Sequence, residues 1–188
     1  RARGGHGHDP SQFTFKPGDG LYGAFECRTG DALVAVGSNG RVYSVPVAQL
    51  PSARGDGSPF TSMIDLAPGS KLVGYVASAP TTALMLATTS GYGFTSALGD
   101  LVTRQRAGKQ FINVDDGAEP LRPQVFDPAS DRSLMCLSEK GRVLVFDMTE
   151  VKAQSGGGRG VTLMDLDDGE KLVIALPVAK AGAVLHAT

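Results

Sequence analysis

The feature that most constrains this chain is a hairpin written three times. LVAVGSNGRVYSV, LMLATTSGYGFTS and LMCLSEKGRVLVF each run from an apolar stretch through a polar tip and a glycine into a second, alternating stretch. Leu33 to Gly40, Leu84 to Gly91 and Leu134 to Gly141 are each seven residues apart, and the glycines recur after 51 and 50 residues. A glycine takes positive φ without steric cost, which is what a hairpin tip requires. A second marker keeps the same period. FTFKPGDGL, MIDLAPGSKL, FINVDDGAEPL and LMDLDDGEKL carry Gly18, Gly69, Gly117 and Gly169, separated by 51, 48 and 52 residues. Two independent markers in one register define a repeat protein.

Each unit reads as four short strands. In the first these are LYGAFEC, the two arms of the hairpin and, after the loop AQLPSARGDGSP, a closing strand FTSMIDL. The second is KLVGYVA, the hairpin around Gly91, the loop DLVTRQRAGK and QFINV; the third is PQVFD, the hairpin around Gly141, the loop TEVKAQSGGGRG and VTLMDL. Four strands at a period near 50 residues predict an all-β protein of propeller-type blades, a closed ring or an open arc. The blades fall at about 20–69, 70–117 and 118–169, with partial blades at 1–19 and 170–188, the whole forming one domain over 1–188. Hairpin tips are expected at Asn39-Gly40, Ser90-Gly91 and Lys140-Gly141, and helix only as a turn or two in the long loops, for example at DLVTR. A blade cannot bury both faces alone, so neighbours must stack. With no tryptophan and 6% aromatics, the core has to come from Val, Leu, Ile and Ala.

No window approaches the ~18 apolar residues of a membrane span, and RARGGHGHDP lacks the apolar core of a signal peptide. Cys27 and Cys136 are far apart and each interrupts a strand-like run, so both are expected to be reduced and buried in a cytoplasmic protein.

The loops between hairpin and closing strand carry the chemistry. They bring Arg54, then Arg104, Arg106 and Lys109, then Arg159, each near glycine, and the N-terminal partial unit offers Arg1 and Arg3 beside Gly4 and Gly5. Guanidinium groups grip phosphate bidentately while a neighbouring glycine lets a backbone N–H approach. Acids collect at the blade-ending turns, at Asp19, Asp115, Asp116, Asp167, Asp168 and Glu170. A net charge of −1 then conceals a basic belt and an acidic one. His6, His8 and Asp9 lie in a glycine-rich stretch and read as exposed polar residues rather than a metal set. Gly156-Gly157-Gly158 lacks the Lys-Ser/Thr of a phosphate-binding loop, and no serine sits in a nucleophile elbow. No catalytic or metal site is expected.

VYSVPVAQLPSARGDGSP, SGYGFTSALGDLVTRQRAGKQFINV and KGRVLVFDMTEV resemble the C-terminal domain of the A subunit of bacterial DNA topoisomerase IV, of the gyrase A C-terminal domain family. The resemblance covers nearly the whole chain and implies a β-pinwheel, in which neighbouring blades exchange strands. It implies a non-catalytic module that binds double-stranded DNA on a basic outer edge and bends it, in support of decatenation and supercoil relaxation. The partners implied are the rest of that polypeptide and the ATPase-bearing B subunit in a heterotetramer at the bacterial nucleoid. ATP and Mg are implied for the holoenzyme and no cofactor for this stretch. Arg1-Ala2-Arg3-Gly4-Gly5-His6-Gly7 is the nearest match to the gyrase Q-R-R-G-G-K-G box, with His6 in place of the lysine. The alternative is a kelch-like propeller that binds protein, whose period is also near 50 residues.

Overall fold

The computed structural model describes residues 2, 4–5, 14–52 and 57–179. It is all-β, as expected. The strands are β1 (Ala32–Gly37), β2 (Arg41–Pro46), β3 (Leu72–Ser78), β4 (Ala83–Ala87), β5 (Tyr92–Ala97), β6 (Lys109–Gln110), β7 (Gln124–Phe126), β8 (Ser133–Ser138), β9 (Val143–Asp147), β10 (Val161–Thr162) and β11 (Leu172–Val178). A single α-helical turn, α1 (Leu98–Leu101), follows β5, and 3-10 turns at Val47–Gln49 and Met148–Glu150 follow β2 and β9 at the matching places. The helical turn opens ahead of DLVTR and takes in only Asp100 and Leu101 of it.

Three antiparallel hairpins, β1–β2, β4–β5 and β8–β9, form at the expected glycines. Gly40, Gly91 and Gly141 have φ of 76°, 85° and 81°. The hairpins are the centres of three sheets, ordered β3-β1-β2-β6, β10-β5-β4-β7 and β11-β8-β9. The sheets do not coincide with the sequence units. Each takes its hairpin from one unit and its flanking strands from the next: β3 pairs with β1 and β6 with β2, while β7 pairs with β4 and β10 with β5.

The exchange is fastened by a hydrogen-bonded clamp that recurs in all three units. The amide of Ser38 donates to the carbonyl of Lys71, and the Lys71 amide donates back to Ser38 Oγ, at 2.8 and 3.1 Å. Thr89 and Glu119 repeat it at 2.9 and 3.1 Å, and Glu139 and Lys171 at 2.9 and 3.1 Å. Each hairpin tip thus satisfies a backbone donor and acceptor of the turn that opens the following strand.

Two sequence expectations fail, for one reason. LYGAFEC (21–27) is not a strand, and Leu21, Tyr22 and Phe25 are exposed. In the exchange pattern its ladder partner is the hairpin of a preceding unit, and no such hairpin lies among the described residues. Cys27 is therefore exposed, whereas Cys136 at the centre of β8 is buried; both thiols are free. The segment FTSMIDL also differs, forming a 3-10 turn at Phe60–Ser62 in place of a closing strand. Phe60 and Ile64 still point into the core.

Both faces of β1 and β4 are buried, which is why these strands read as continuous apolar runs. Val34 and Val36 of β1 pack with Leu84, Leu86 and Phe94 between the first two sheets. The other face of β4, Met85 and Ala87, packs with Leu134, Cys136, Leu163 and Met164 toward the third. The opposite face of the first sheet buries Leu33, Ala35, Tyr43 and Val45 against Phe60 and Ile64. At ~1.5–3 kcal/mol for each large apolar side chain withdrawn from water, stacking between sheets dominates stability.

Candidate nucleic-acid interface

The loops that carry the cations expected to contact DNA occupy equivalent places on successive sheets, although the cations themselves do not fall at matching positions within them. The stretch after α1 carries Arg104 and Arg106 and runs into β6 on the edge of the first sheet, where Lys109 and Gln110 face Val42 and Arg41. The stretch after β9 carries Arg159 and runs into β10 on the edge of the second sheet, where Val161 and Thr162 face Gly93 and Tyr92. Both stretches are threaded past the sheet before them. The amide of Asp65 donates to the Arg106 carbonyl at 2.8 Å, and that of Asn113 to the Gly158 carbonyl at 2.9 Å.

The side chains differ in how free they are. Arg104 is exposed and makes no hydrogen bond or ion pair with the described residues. Arg106 Nε lies 3.3 Å from Asp65 Oδ1, both groups being well exposed. Arg159 stacks over the Tyr92 ring at 3.8 Å and donates from Nη2 to Asp115 Oδ2 at 3.0 Å. The hydroxyl of Ser90 donates to the same Asp115 oxygen at 2.9 Å. That hydroxyl first, then the guanidinium, hold the Asp115 carboxyl below its ordinary value. Lys109 is drawn into the fold: its Nζ donates to the Asp100 carbonyl at 2.6 Å and sits 5.4 Å from the centre of the Phe111 ring. Arg1, Arg3 and Arg54 lie outside the described residues, as do His6, His8 and Asp9.

Two details depart from the sequence reading. Acids and bases are not segregated into belts, since Arg106 meets Asp65, Arg159 meets Asp115, and Lys140 and Arg142 meet Asp167. Exposed pairs of this kind are worth ~0–1 kcal/mol, so they leave the arginines open to a stronger anion. The loop glycines, for their part, serve packing. A Cβ on Gly108 would lie 2.6 Å from the Val42 carbonyl oxygen, and one on Gly160 would run into the Gly93 carbonyl. These two let the loop enter the sheet edge, whereas Gly156 is exposed with open space around it. One cation escaped the sequence reading. Lys152 is exposed, and its carbonyl accepts from the Thr95 amide at 3.0 Å, which fixes it on the same edge as Arg159. The signal was its place in TEVKAQ, at the start of the loop rather than beside a glycine.

The family model described as DNA gyrase C-terminal domain, beta-propeller, matches residues 31–74, 82–121 and 132–179. The chain belongs to this family. Each matched segment opens one residue before the first strand of a hairpin, at Ala32, Ala83 and Ser133. Among curated relatives, the A subunit of DNA topoisomerase 4 from Escherichia coli K12 is 33% identical over 170 residues, 90% of this chain and 22% of the relative. The Neisseria gonorrhoeae protein of the same name is 35% identical over 92% of this chain and 23% of the relative. The chain therefore spans under a quarter of the length of these relatives. The solved structure of the E. coli ParC C-terminal domain superposes with a TM-score of 0.83 at 30% identity, over 93% of this chain and 74% of that one. A DNA gyrase A C-terminal domain, at a TM-score of 0.63 and 23% identity, shares the fold. The resemblance carried by LPSARG and GYGF is borne out, and the kelch-like alternative gives way to this family. The strand exchange described above is the pinwheel arrangement that the resemblance implied.

Proposed function

We propose that this chain is a non-catalytic DNA-binding and DNA-bending module from the A subunit of a bacterial type IIA topoisomerase. The observation that carries this reading is the placement of Arg104, Arg106 and Arg159 on equivalent loops along the edges of the first two sheets. Duplex DNA laid across those edges meets a guanidinium at each of the first two sheets, with Arg54, Arg1 and Arg3 extending the series by sequence. Each phosphate contact exchanges an exposed ion pair for a charge-assisted one and releases condensed counterions, so binding is sequence-tolerant and salt-sensitive. Following several edges bends the duplex, at a cost of ~1–6 kcal/mol for 20–30 bp, which only simultaneous contacts on several sheets offset. Lys109 acts here mainly by holding its loop in place. In the assembled enzyme, the remainder of the same polypeptide and the ATPase-bearing B subunit work on nucleoid DNA, and such a bend presents a DNA segment for decatenation or relaxation. ATP and Mg act elsewhere in that assembly.

Ligase-mediated circularisation of a short duplex tests the bending step. The chain should raise the circularisation rate, and Arg104→Ala/Arg106→Ala/Arg159→Ala should abolish the gain. A chain that binds the duplex while leaving the rate unchanged is not a bending module.

A further inference from the structure

The residue that follows each hairpin-tip glycine is Arg41 in the first unit, Tyr92 in the second and Arg142 in the third. The loop residue that enters beside it is Ala107 on the first sheet and Arg159 on the second, each directly before a packing glycine, Gly108 or Gly160. Where the hairpin supplies arginine the loop supplies alanine, and where the hairpin supplies tyrosine the loop supplies arginine. The side chains meet accordingly. Arg41 reaches across to the loop, donating from Nε to the Ala107 carbonyl at 3.0 Å and from Nη2 to the Gly108 carbonyl at 2.7 Å. Arg159 reaches the other way and lies 3.8 Å over the Tyr92 ring. Each of these two sheets thus holds one guanidinium between hairpin and loop, delivered from opposite sides of the same junction.

The carboxylates around that guanidinium differ from sheet to sheet. They come from two positions of the blade-ending turn, one on each side of its glycine: Ala67 and Ser70 in the first unit, Asp115 and Ala118 in the second, Asp167 and Glu170 in the third. Arg41 accordingly makes no ion pair among the described residues, and Asp65 of its unit is taken by Arg106. Arg159 meets one carboxylate, Asp115, at 3.0 Å. Arg142 meets two, with Nη1 at 2.9 Å from Glu170 Oε2 and 3.6 Å from Asp167 Oδ1, and its Nη2 donates to the Asp165 carbonyl at 2.6 Å. The Glu170 side chain is fully buried, so Arg142 balances a carboxylate that would otherwise be buried alone. Carbonyls orient a guanidinium and leave its charge standing; carboxylates orient it and cancel the charge.

We propose that Arg41 is the anchoring phosphate contact of this edge, Arg159 a weaker contact and Arg142 a structural residue. The inference rests on the reading of the edge as a DNA path, and it adds a strand residue that the loop arginines do not include. The N–H donors of Arg41 that the two carbonyls leave over can grip a phosphate bidentately, and the phosphate displaces no acid there. At Arg159 it must displace Asp115. At Arg142 it must displace two carboxylates, one of them buried. Affinity for phosphate therefore falls from the first sheet to the third, although Arg41 and Arg142 stand at the same place in the repeat.

Duplex binding followed by fluorescence anisotropy tests this with three variants. Arg41→Tyr should weaken binding about ten-fold at low salt and make the salt slope shallower by about one. Arg41→Tyr/Ala107→Arg rebuilds the arrangement of the second sheet on the first and should recover most of both. Arg142→Gln/Glu170→Gln removes that guanidinium together with its buried partner and should keep the parent affinity and slope. Arg41→Gln, whose side-chain amide can still donate to a loop carbonyl, gives a second route to the loss if the tyrosine variant has a lowered urea midpoint. A folded Arg41 variant with the parent affinity and slope overturns the inference. So does a loss that Ala107→Arg fails to recover, which would trace to the sheet edge rather than to the guanidinium, and so does an equal loss in Arg142→Gln/Glu170→Gln. A parent chain that binds no duplex at low salt would instead overturn the DNA reading itself, and this inference with it.

Discussion

The exchange of segments between units has a measurable energetic signature at the hairpin glycines. Gly40, Gly91 and Gly141 share a tip conformation, with φ between 76° and 85°, so alanine at any of them incurs the left-handed penalty of about 1–2 kcal/mol. The entropy that alanine removes from the unfolded chain is common to all three sites. Among the described residues, only Gly40 and Gly91 carry the following unit's strand against the tip. Gly40→Ala must push that strand away and so loses the amide bonds from Phe111 and Ile112, at 3.2 and 3.0 Å. Both residues are buried, and a stranded donor costs about 1–3 kcal/mol. The expected destabilisation is about 3–5 kcal/mol at Gly40 and Gly91 and about 1–2 kcal/mol at Gly141. Urea unfolding followed by far-UV circular dichroism resolves such a gap, because m-values of ~1–3 kcal/mol/M turn it into a midpoint difference of ~1 M or more. Equal midpoint shifts for Gly40→Ala and Gly141→Ala would show that the strand from the following unit does not press on the tip, and the exchange geometry would be wrong.

Two further outcomes follow from the side-chain environments. Burial pushes the Cys136 thiol up to about 11, while Cys27 is exposed and raised less, first by partial burial and then by the Asp31 charge. At pH 8 Cys27 should therefore alkylate ~100-fold or more faster than Cys136 in the native chain, and mass spectrometry showing equal rates would contradict the burial of β8. Asp115→Asn releases Arg159 and removes a negative charge from the edge, so affinity for duplex DNA at low salt should stay level or rise. Because the Asp115 carboxyl is held low, its pairing is complete above the ordinary carboxylate value of about 3.8 and fades only as pH falls through the depressed one. DNA affinity should accordingly be insensitive to this group between pH 5 and pH 8; a titration step within that window that disappears in Asp115→Asn would refute the assignment.

Much of the fold was legible in the sequence because a hairpin is a local object. An apolar run, a polar tip and a glycine seven residues on determine a turn wherever they occur, and all three tips formed where expected. What the chain could not reveal by local pattern was which hairpin each remaining strand joins. KLVGYVA reads as the opening of its own blade, yet β3 lies on β1 of the blade before, because the clamp between Ser38 and Lys71 joins positions 33 residues apart. LYGAFEC has a composition much like that of KLVGYVA and is no strand, since strand formation depends on a partner rather than on propensity. FTSMIDL keeps its apolar anchors while its backbone turns, a distinction that side-chain pattern does not carry. The site was legible as a set of cations but not as a charge pattern. Asp65 and Asp115 reach the arginines only through the stacking of one unit on the next, 41 and 44 residues away along the chain.

The central claim is that the loop arginines on successive sheets neutralise DNA phosphates. It is tested most directly by the salt dependence of duplex binding, measured by fluorescence anisotropy for the parent chain and for Arg104→Ala/Arg106→Ala/Arg159→Ala. If the parent engages about four to six phosphates, its log K should fall against log salt with a slope near −4 to −5. The variant should bind several-fold or more weakly at low salt, with a slope shallower by about three. Its circular dichroism spectrum and urea midpoint should stay close to the parent's, because these side chains stand on exposed loops. A variant that remains folded and keeps both the parent affinity and the parent slope would place the DNA elsewhere on the molecule.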